Sequence, residues 1–142
     1  MDKKLVVKVA AGLGNQMFMY ANALSLSKRF NYQLLIDNSS GFFQRKNRTL
    51  GREYGLNIFN LSGNLAEKKD KYDNYLFHNY KKIIKFLNKY QKKKSFLTDP
   101  KGIAKKTFYE KIDALLSKKV YLEGYFESEK YFFDLKSKLI EE

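Results

Sequence analysis

The chain opens on a short apolar run at residues 5–10, Leu5-Val6-Val7-Lys8-Val9-Ala10, which stops at the turn Ala11-Gly12-Leu13-Gly14. A β-branched run of that length meeting a glycine turn predicts a buried strand. Residues 15–30 follow, with Met17, Tyr20/Ala21 and Leu24 at helical spacing and Lys28 and Arg29 near the end, where cations suit a helix C-terminus. The pair Asn31-Tyr32 turns the chain into Gln33-Leu34-Leu35-Ile36-Asp37, a second apolar strand. The order strand, glycine loop, helix, strand favours a parallel α/β unit.

Beyond it the pattern loosens. Residues 38–63 read as an irregular loop region, a length that in a compact domain is usually functional or hides short elements. Residues 65–88 read as helical, with Tyr72, Tyr75/Leu76, Tyr80, Ile83/Ile84 and Leu87 spaced by three or four, and these positions are expected to pack in a core or groove. A basic connection at 90–99 and a short helix at 108–116 complete a Lys-rich segment, 64–119. Val120-Tyr121-Leu122-Glu123-Gly124-Tyr125 reads as a third strand, and Ser128 stands at the N-cap position of a final helix running from Glu129. A helix ending at Glu142 without a cap leaves this α/β sequence without its next strand.

Composition narrows the chemistry. In 142 residues there are 28 Lys+Arg, 15 Asp+Glu, one His and no Cys, for a net charge of +13. Without cysteine there is no disulfide framework, thiolate nucleophile or Cys-based zinc site, and a lone His78 excludes a multi-His metal centre. No apolar run reaches the ~18 residues of a spanning helix, and the start lacks a secretory pattern, so a cytoplasmic protein is expected. Residues 68–119 hold 16 basic and 5 acidic side chains, net +11, and Lys makes up 24 of the 28 basic residues of the chain. Lys is a hydrated point charge, less suited than the Arg fork to bidentate reading of phosphate or bases. Basic residues interleaved with Tyr and Phe still permit an alternative reading, a nucleic-acid- or anionic-membrane-binding domain, although no sequence-specific nucleic-acid motif is present.

The glycine loop is the chemical landmark. Glycines after a strand and before a helix let a ligand approach backbone N–H groups, an arrangement suited to an anion. A dinucleotide fingerprint would need a third glycine where Met17 stands, although Asp37 ends the second strand where a ribose-binding acid would lie. No Gly-Lys-Ser/Thr follows, which excludes a P-loop. A tight turn capped by Asn15 is the plain structural reading.

The longer string Gly12-Leu13-Gly14-Asn15-Gln16-Met17-Phe18, with Tyr20-Ala21, resembles the N-terminal motif of the bacterial α-1,2-fucosyltransferases, glycosyltransferase family 11. Ala11 stands where that family has a glycine, and Met19 where it has glutamine. Leu56-Asn57-Ile58-Phe59-Asn60 is similar to the family's Leu-x-x-Phe-Asn segment. Tyr121-Leu122-Glu123-Gly124-Tyr125-Phe126-Glu127-Ser128-Glu129-Lys130-Tyr131-Phe132 is similar to its Tyr-x-x-Gly-Tyr-(Phe/Trp)-Gln-Ser-Glu-Lys-Tyr-Phe block. The resemblance implies a Rossmann-like N-terminal half of a GT-B-like glycosyltransferase, a parallel sheet flanked by helices over residues 1–142. It also implies metal-free, inverting transfer of L-fucose from GDP-fucose to the 2-hydroxyl of a galactose-terminated glycan. Gly12, Gly14, Asn15 and, with less force, Gln16 would then be the substrate-binding residues. The basic segment would let such an enzyme sit against an anionic membrane surface.

No catalytic base follows from the sequence. Asp37 and Glu123 end strands, where α/β sites gather, Glu127 and Glu129 suit the start of the last helix, and His78 reads as an ordinary surface or packing residue. The family's diphosphate clamp, His-x-Arg-Arg-x-Asp-Tyr, has no counterpart here, since the sequence contains no adjacent Arg pair. The resemblance therefore implies that the C-terminal donor-binding domain is absent. The purified chain alone is expected to transfer no detectable fucose from GDP-fucose to lactose and to bind the donor weakly or not at all. Measurable transfer, or a micromolar Kd by calorimetry, would overturn this.

Overall fold

A computed structural model describes residues 3–43, 52–99 and 116–141, apart from the side chains of Asp134 and Lys138. The described elements are β1 (Lys4–Lys8), α1 (Leu13–Phe30), β2 (Gln33–Asp37), β3 (Asn64–Leu65), α2 (Tyr75–Asn88), β4 (Lys94–Thr98), β5 (Leu116–Glu123) and a short α3 (Lys136–Glu141). Single 3-10 turns lie at Leu56–Ile58, Lys68–Asp70, Glu129–Tyr131 and Phe133–Leu135.

The five strands form one all-parallel sheet in the order β3-β2-β1-β5-β4. β1 lies between its two longest partners, with Val6 in register with both Leu35 and Tyr121. Alternate side chains face opposite layers. Leu5, Val7, Leu34, Ile36, Val120 and Leu122 pack under α1, against Met19, Tyr20, Ala23 and Leu24. Val6, Leu35, Phe96 and Tyr121 pack on the other face, against Tyr72, Ala66 and Ile84 of the α2 layer. Burial on both faces is what gives parallel strands their nearly continuous apolar sequence. This is the expected Rossmann-like arrangement of a parallel sheet flanked by helices.

Several local expectations change. α1 starts at Leu13, with Gly12 as its N-cap, so Asn15 lies within the first turn and is not the cap. The helix predicted over 65–88 is shorter. Its first part is the two-residue strand β3 and a 3-10 turn, and α2 begins only after Asn74, whose side chain accepts a hydrogen bond from the Phe77 N–H at 2.9 Å. The basic connection contains the edge strand β4. The helix expected at 108–116 lies outside the described residues up to 115, and residue 116 begins β5. Ser128 does cap, but it caps the 3-10 turn Glu129–Tyr131, and the tail is helical only from Lys136.

The largest correction concerns α2. Of the positions expected to form a core, Tyr72 and Ile84 pack against the sheet, while Leu76 is 84% exposed, Ile83 58%, Tyr80 55% and Leu87 49%. The helix turns its polar side inward. Lys81 is 5% exposed, and both Lys81 and Lys85 reach the Glu123 carboxylate, at 3.3 and 2.7 Å. Lys8, at the end of β1, is bonded to the same carboxylate. Asn88 completes the anchor by accepting from the Ser95 N–H at 2.8 Å and donating to the Phe96 carbonyl at 3.1 Å, which ties the helix end to β4.

Burial pushes the Glu123 carboxyl upward, but the charge of Lys8 and the hydrogen bonds and charges of Lys85 and Lys81 outweigh it and hold the group down at about 2. Burial lowers the Lys81 pKa, and the Glu123 charge opposes that. A carboxyl depressed in the folded state stabilises above its unfolded pKa and loses that contribution as pH falls through the folded value. Between the ordinary 4.5 and about 2, this amounts to about 3 kcal/mol. Glu123→Gln is therefore expected to cost about 3 kcal/mol at neutral pH by urea unfolding. The stability deficit of the variant should shrink as pH is lowered from 5 to about 2. A deficit that does not change with pH would contradict the ion-pair account.

Candidate functional site

Three chain segments with separate sequence signatures meet at one place. Gly14, Met17 and Phe18 of the α1 start, Leu56 and Phe59 of the 3-10 segment, and Phe132 after β5 line one apolar cleft of about 450 Å³. Phe18 and Phe132 bring their ring centroids to 5.9 Å. Residues of α3, including Lys136, close the far side. A second, shallower cleft of about 370 Å³ lies past β2, between Asn38, Ser39, Phe42 and Phe43 on one side and Glu53, Tyr54 and Asp73 on the other.

Gln16 braces the ground between them. Its side chain is 1% exposed and donates to the Ala11 carbonyl at 3.0 Å and the Glu53 carbonyl at 2.8 Å, and accepts from the Gly55 N–H at 2.9 Å. Three bonds to backbone use nearly the whole hydrogen-bonding capacity of a carboxamide. Gln16 thus fixes residues 53–55 against the glycine loop and faces the protein, not the cleft. Asn15, half-buried at the preceding position of the helix, makes no side-chain hydrogen bond to any described residue.

The glycine loop leaves β1 at the C-terminal edge of the sheet, beside the end of β5. Ligands of open parallel sheets gather at that edge, where neighbouring strands connect in opposite directions. The N–H groups of Leu13, Gly14 and Asn15 lie in the first turn of α1, where no intrahelical acceptor exists for them. A Cβ added at Gly12 or at Gly14 would meet nothing within 4 Å. Gly124 differs, with φ +155 and a Cβ that would fall 2.6 Å from the Asp99 Cβ and 2.8 Å from its backbone nitrogen. The fold demands glycine at 124 and does not demand it at 12 or 14.

Strained backbone gathers at the same edge. Three described non-glycine residues have positive φ, and one of them, Asn31, is an ordinary helix C-cap. The others are Ala11, at φ 65 just before Gly12, and the fully buried Phe126, at φ 50 just after β5. Such conformations cost about 1–3 kcal/mol each and persist where surrounding structure holds them.

The acidic residues at strand ends are all occupied. Asp37 is fully buried, accepting from the Ser39 and Ser40 N–H groups at 3.1 and 3.0 Å and from the Tyr121 hydroxyl at 2.7 Å. It closes a turn and gives no free carboxylate to a ribose. Burial, followed by the charge of Asp37, pushes the Tyr121 hydroxyl far up, so it stays protonated as the donor. Asp99, after β4, accepts from the Phe126 N–H and the Tyr131 hydroxyl, both at 3.1 Å, and burial followed by its charge pushes Tyr131 up to about 12. Glu123 serves the three lysines. Glu129 pairs with Lys136 at 3.2 Å, Glu127 is exposed, and the His78 ring lies tilted against Phe43, their centroids 6.1 Å apart. Among the described residues, no group of three His, Asp or Glu side chains comes together as a metal ion would require. The residues that sequence reasoning missed, Lys8, Lys81, Lys85 and Asp99, have partners between 27 and 115 positions away, a distance at which no local signal exists.

The chain is 30% identical over 137 residues to an alpha-1,2-colitosyltransferase of Escherichia coli, covering 96% of this chain and 43% of that protein. Over 84 residues it is 34% identical to the O-antigen biosynthesis glycosyltransferase WbnK of Escherichia coli, covering 58% of this chain and 26% of that protein. The chain thus spans less than half the length of these relatives. It matches no protein-family model, and no solved structure matches it.

The glycine geometry predicts an asymmetry in stability. Gly14→Ala should be neutral or stabilising by up to about 1 kcal/mol, and Gly12→Ala should change stability by no more than about 1 kcal/mol. Gly124→Ala should cost about 2–3 kcal/mol. Urea midpoints of the three variants check this, and a Gly12→Ala loss equal to that of Gly124→Ala would show that the loop glycine serves the fold.

Proposed function

We propose that this chain is the N-terminal α/β part of a glycosyltransferase of the α-1,2-fucosyltransferase type, taking a GDP-fucose donor and a galactose-terminated glycan acceptor. The observation that carries the reading is the convergence of its three resembling segments on one cleft at the start of α1. The two glycosyltransferase relatives, one of them aligned along nearly the whole chain, support the same class. The name of the first relative points to colitose as the alternative sugar.

In this reading the bond between the sugar's anomeric carbon and the diphosphate oxygen breaks, and a bond from that carbon to the acceptor's 2-hydroxyl oxygen forms with inversion. The hydroxyl proton passes to solvent, and negative charge builds on the departing diphosphate as its bond to carbon breaks. Amides of the first turn of α1 are suited to that charge, being fixed donors that need no reorganisation as it develops. Gly12 and Gly14 keep their approach open, which accounts for glycine at positions where the protein's own packing leaves space. The Asn15 carboxamide, without a side-chain partner among the described residues, hydrogen-bonds the donor, and Gln16 acts through the loop it braces. The chemistry asks for no metal ion, and the second cleft, past the end of β2, offers room for the acceptor.

The test is a titration of the ¹⁵N-labelled chain with GDP-fucose at millimolar concentration, followed by amide shifts. Shifts confined to residues 12–15 and their neighbours in the cleft, lost in Gly12→Ala with the fold intact, are expected. Shifts elsewhere would overturn the assignment, and stronger shifts with the corresponding colitose donor would move the sugar while keeping the site.

A further inference from the structure

The outward face of α2 has no role in the site described above. Leu76, Tyr80, Ile83 and Leu87 form one stripe along the helix, at steps of three and four, and all are about half exposed or more. Tyr75, Phe86 and Tyr90 widen the stripe, at 71%, 57% and 77% exposed. A contiguous apolar patch on a helix that turns two lysines toward the sheet marks an interaction surface.

Charge identifies its partner. Residues 75–98 contain seven Lys and no Asp or Glu. Three of these lysines are turned inward or onto the helix end, Lys81 and Lys85 to Glu123, and Lys94 to the Asn88 and Lys89 carbonyls. Lys82, Lys89, Lys92 and Lys93 remain exposed, the first two on the helix flank beside the stripe and the others just past its end. A second copy of the chain would bring two acid-free basic faces together, which electrostatics opposes. An apolar stripe with tyrosines at its margins and lysines along one flank suits an anionic bilayer, where the rings sit at the interface and ammonium groups meet lipid phosphates. At 14 residues α2 is about 21 Å long, too short to cross the ~30 Å hydrocarbon core, so it would lie in the plane of the interface.

We propose that α2 docks the protein on an anionic lipid bilayer, with Leu76, Tyr80, Ile83 and Leu87 entering the boundary between headgroups and acyl chains and Lys82, Lys89, Lys92 and Lys93 facing lipid phosphates. The docking does not depend on which sugar is transferred, and it sets the apolar cleft and α1 on the opposite side of the sheet from the membrane.

The test is sedimentation with phosphatidylcholine vesicles with and without about one-third phosphatidylglycerol. The expected result is binding to the anionic vesicles that weakens with salt and is at least about tenfold weaker on the neutral ones. The double variant Leu76→Ser, Ile83→Ser removes exposed side chains only and should lower binding about tenfold at unchanged urea stability. Because the chain has no Trp, Ile83→Trp provides a single depth reporter whose emission should shift to the blue and be quenched by brominated acyl chains. Unquenched Trp with intact sedimentation would mean adsorption by net charge alone and would overturn the proposal. So would binding indifferent to the double variant, or a dimer in solution that the double variant dissolves. Binding to an acidic protein in place of vesicles would assign the stripe to a protein partner and overturn it equally.

Discussion

The Glu123 carboxylate at the end of β5 is shared by Lys8 of β1 and by Lys81 and Lys85 of α2. Three cations on one largely buried anion leave little freedom in how the second helix layer can lie. Any rotation of α2 about its axis that buried the apolar stripe would carry both ammonium groups away from Glu123 and lay apolar side chains over the carboxylate. A desolvated carboxylate stripped of its partners costs several kcal/mol. The polar side therefore faces the sheet and the apolar side faces out.

The same principle organises the C-terminal edge of the sheet. Asp37, Asp99 and Glu123 stand at or just after the ends of β2, β4 and β5, and each satisfies groups of the protein itself, namely a turn and a tyrosine, a strained loop, and a lysine cluster. Between them the glycine loop presents backbone N–H groups. An edge whose carboxylates are held by the protein's own donors and whose helix N-terminus is open still presents backbone N–H groups to an anion. The positive φ values of Ala11 and Phe126 fall at the two loops that flank this position. Ala11 occupies the position where the resembling family has glycine, the residue for which such a conformation carries no steric cost.

The first 37 residues were legible because each element announced itself locally. β1 and β2 are apolar runs buried on both faces, and α1 carries its periodicity and its basic C-terminal turn. The glycine turn between β1 and α1 was legible for similar reasons. The limits lay where one local pattern has two tertiary meanings. The spacing of Tyr80, Ile83 and Leu87 is truly helical, but a periodic stripe does not say whether it faces a core or the outside. β4 was hidden in a lysine cluster because an edge strand needs few buried positions, and only Phe96 and Leu97 of its five residues are buried. Gln16 read as a candidate ligand contact, but its bonds to Glu53 and Gly55 cross 37 and 39 residues of chain.

By itself the sequence determined a parallel α/β unit, the place of its glycine turn, and the absence of cysteine and multi-histidine chemistry. These depend on residue type and on spacing within a turn or two of backbone. Tertiary structure alone decided which side of α2 faces the sheet, which carboxylates are spent on the fold, and that residues near 14, 56 and 132 share one cleft. Those outcomes depend on balances of burial and charge between groups far apart along the chain, and such balances exist only once the sheet has brought the groups together.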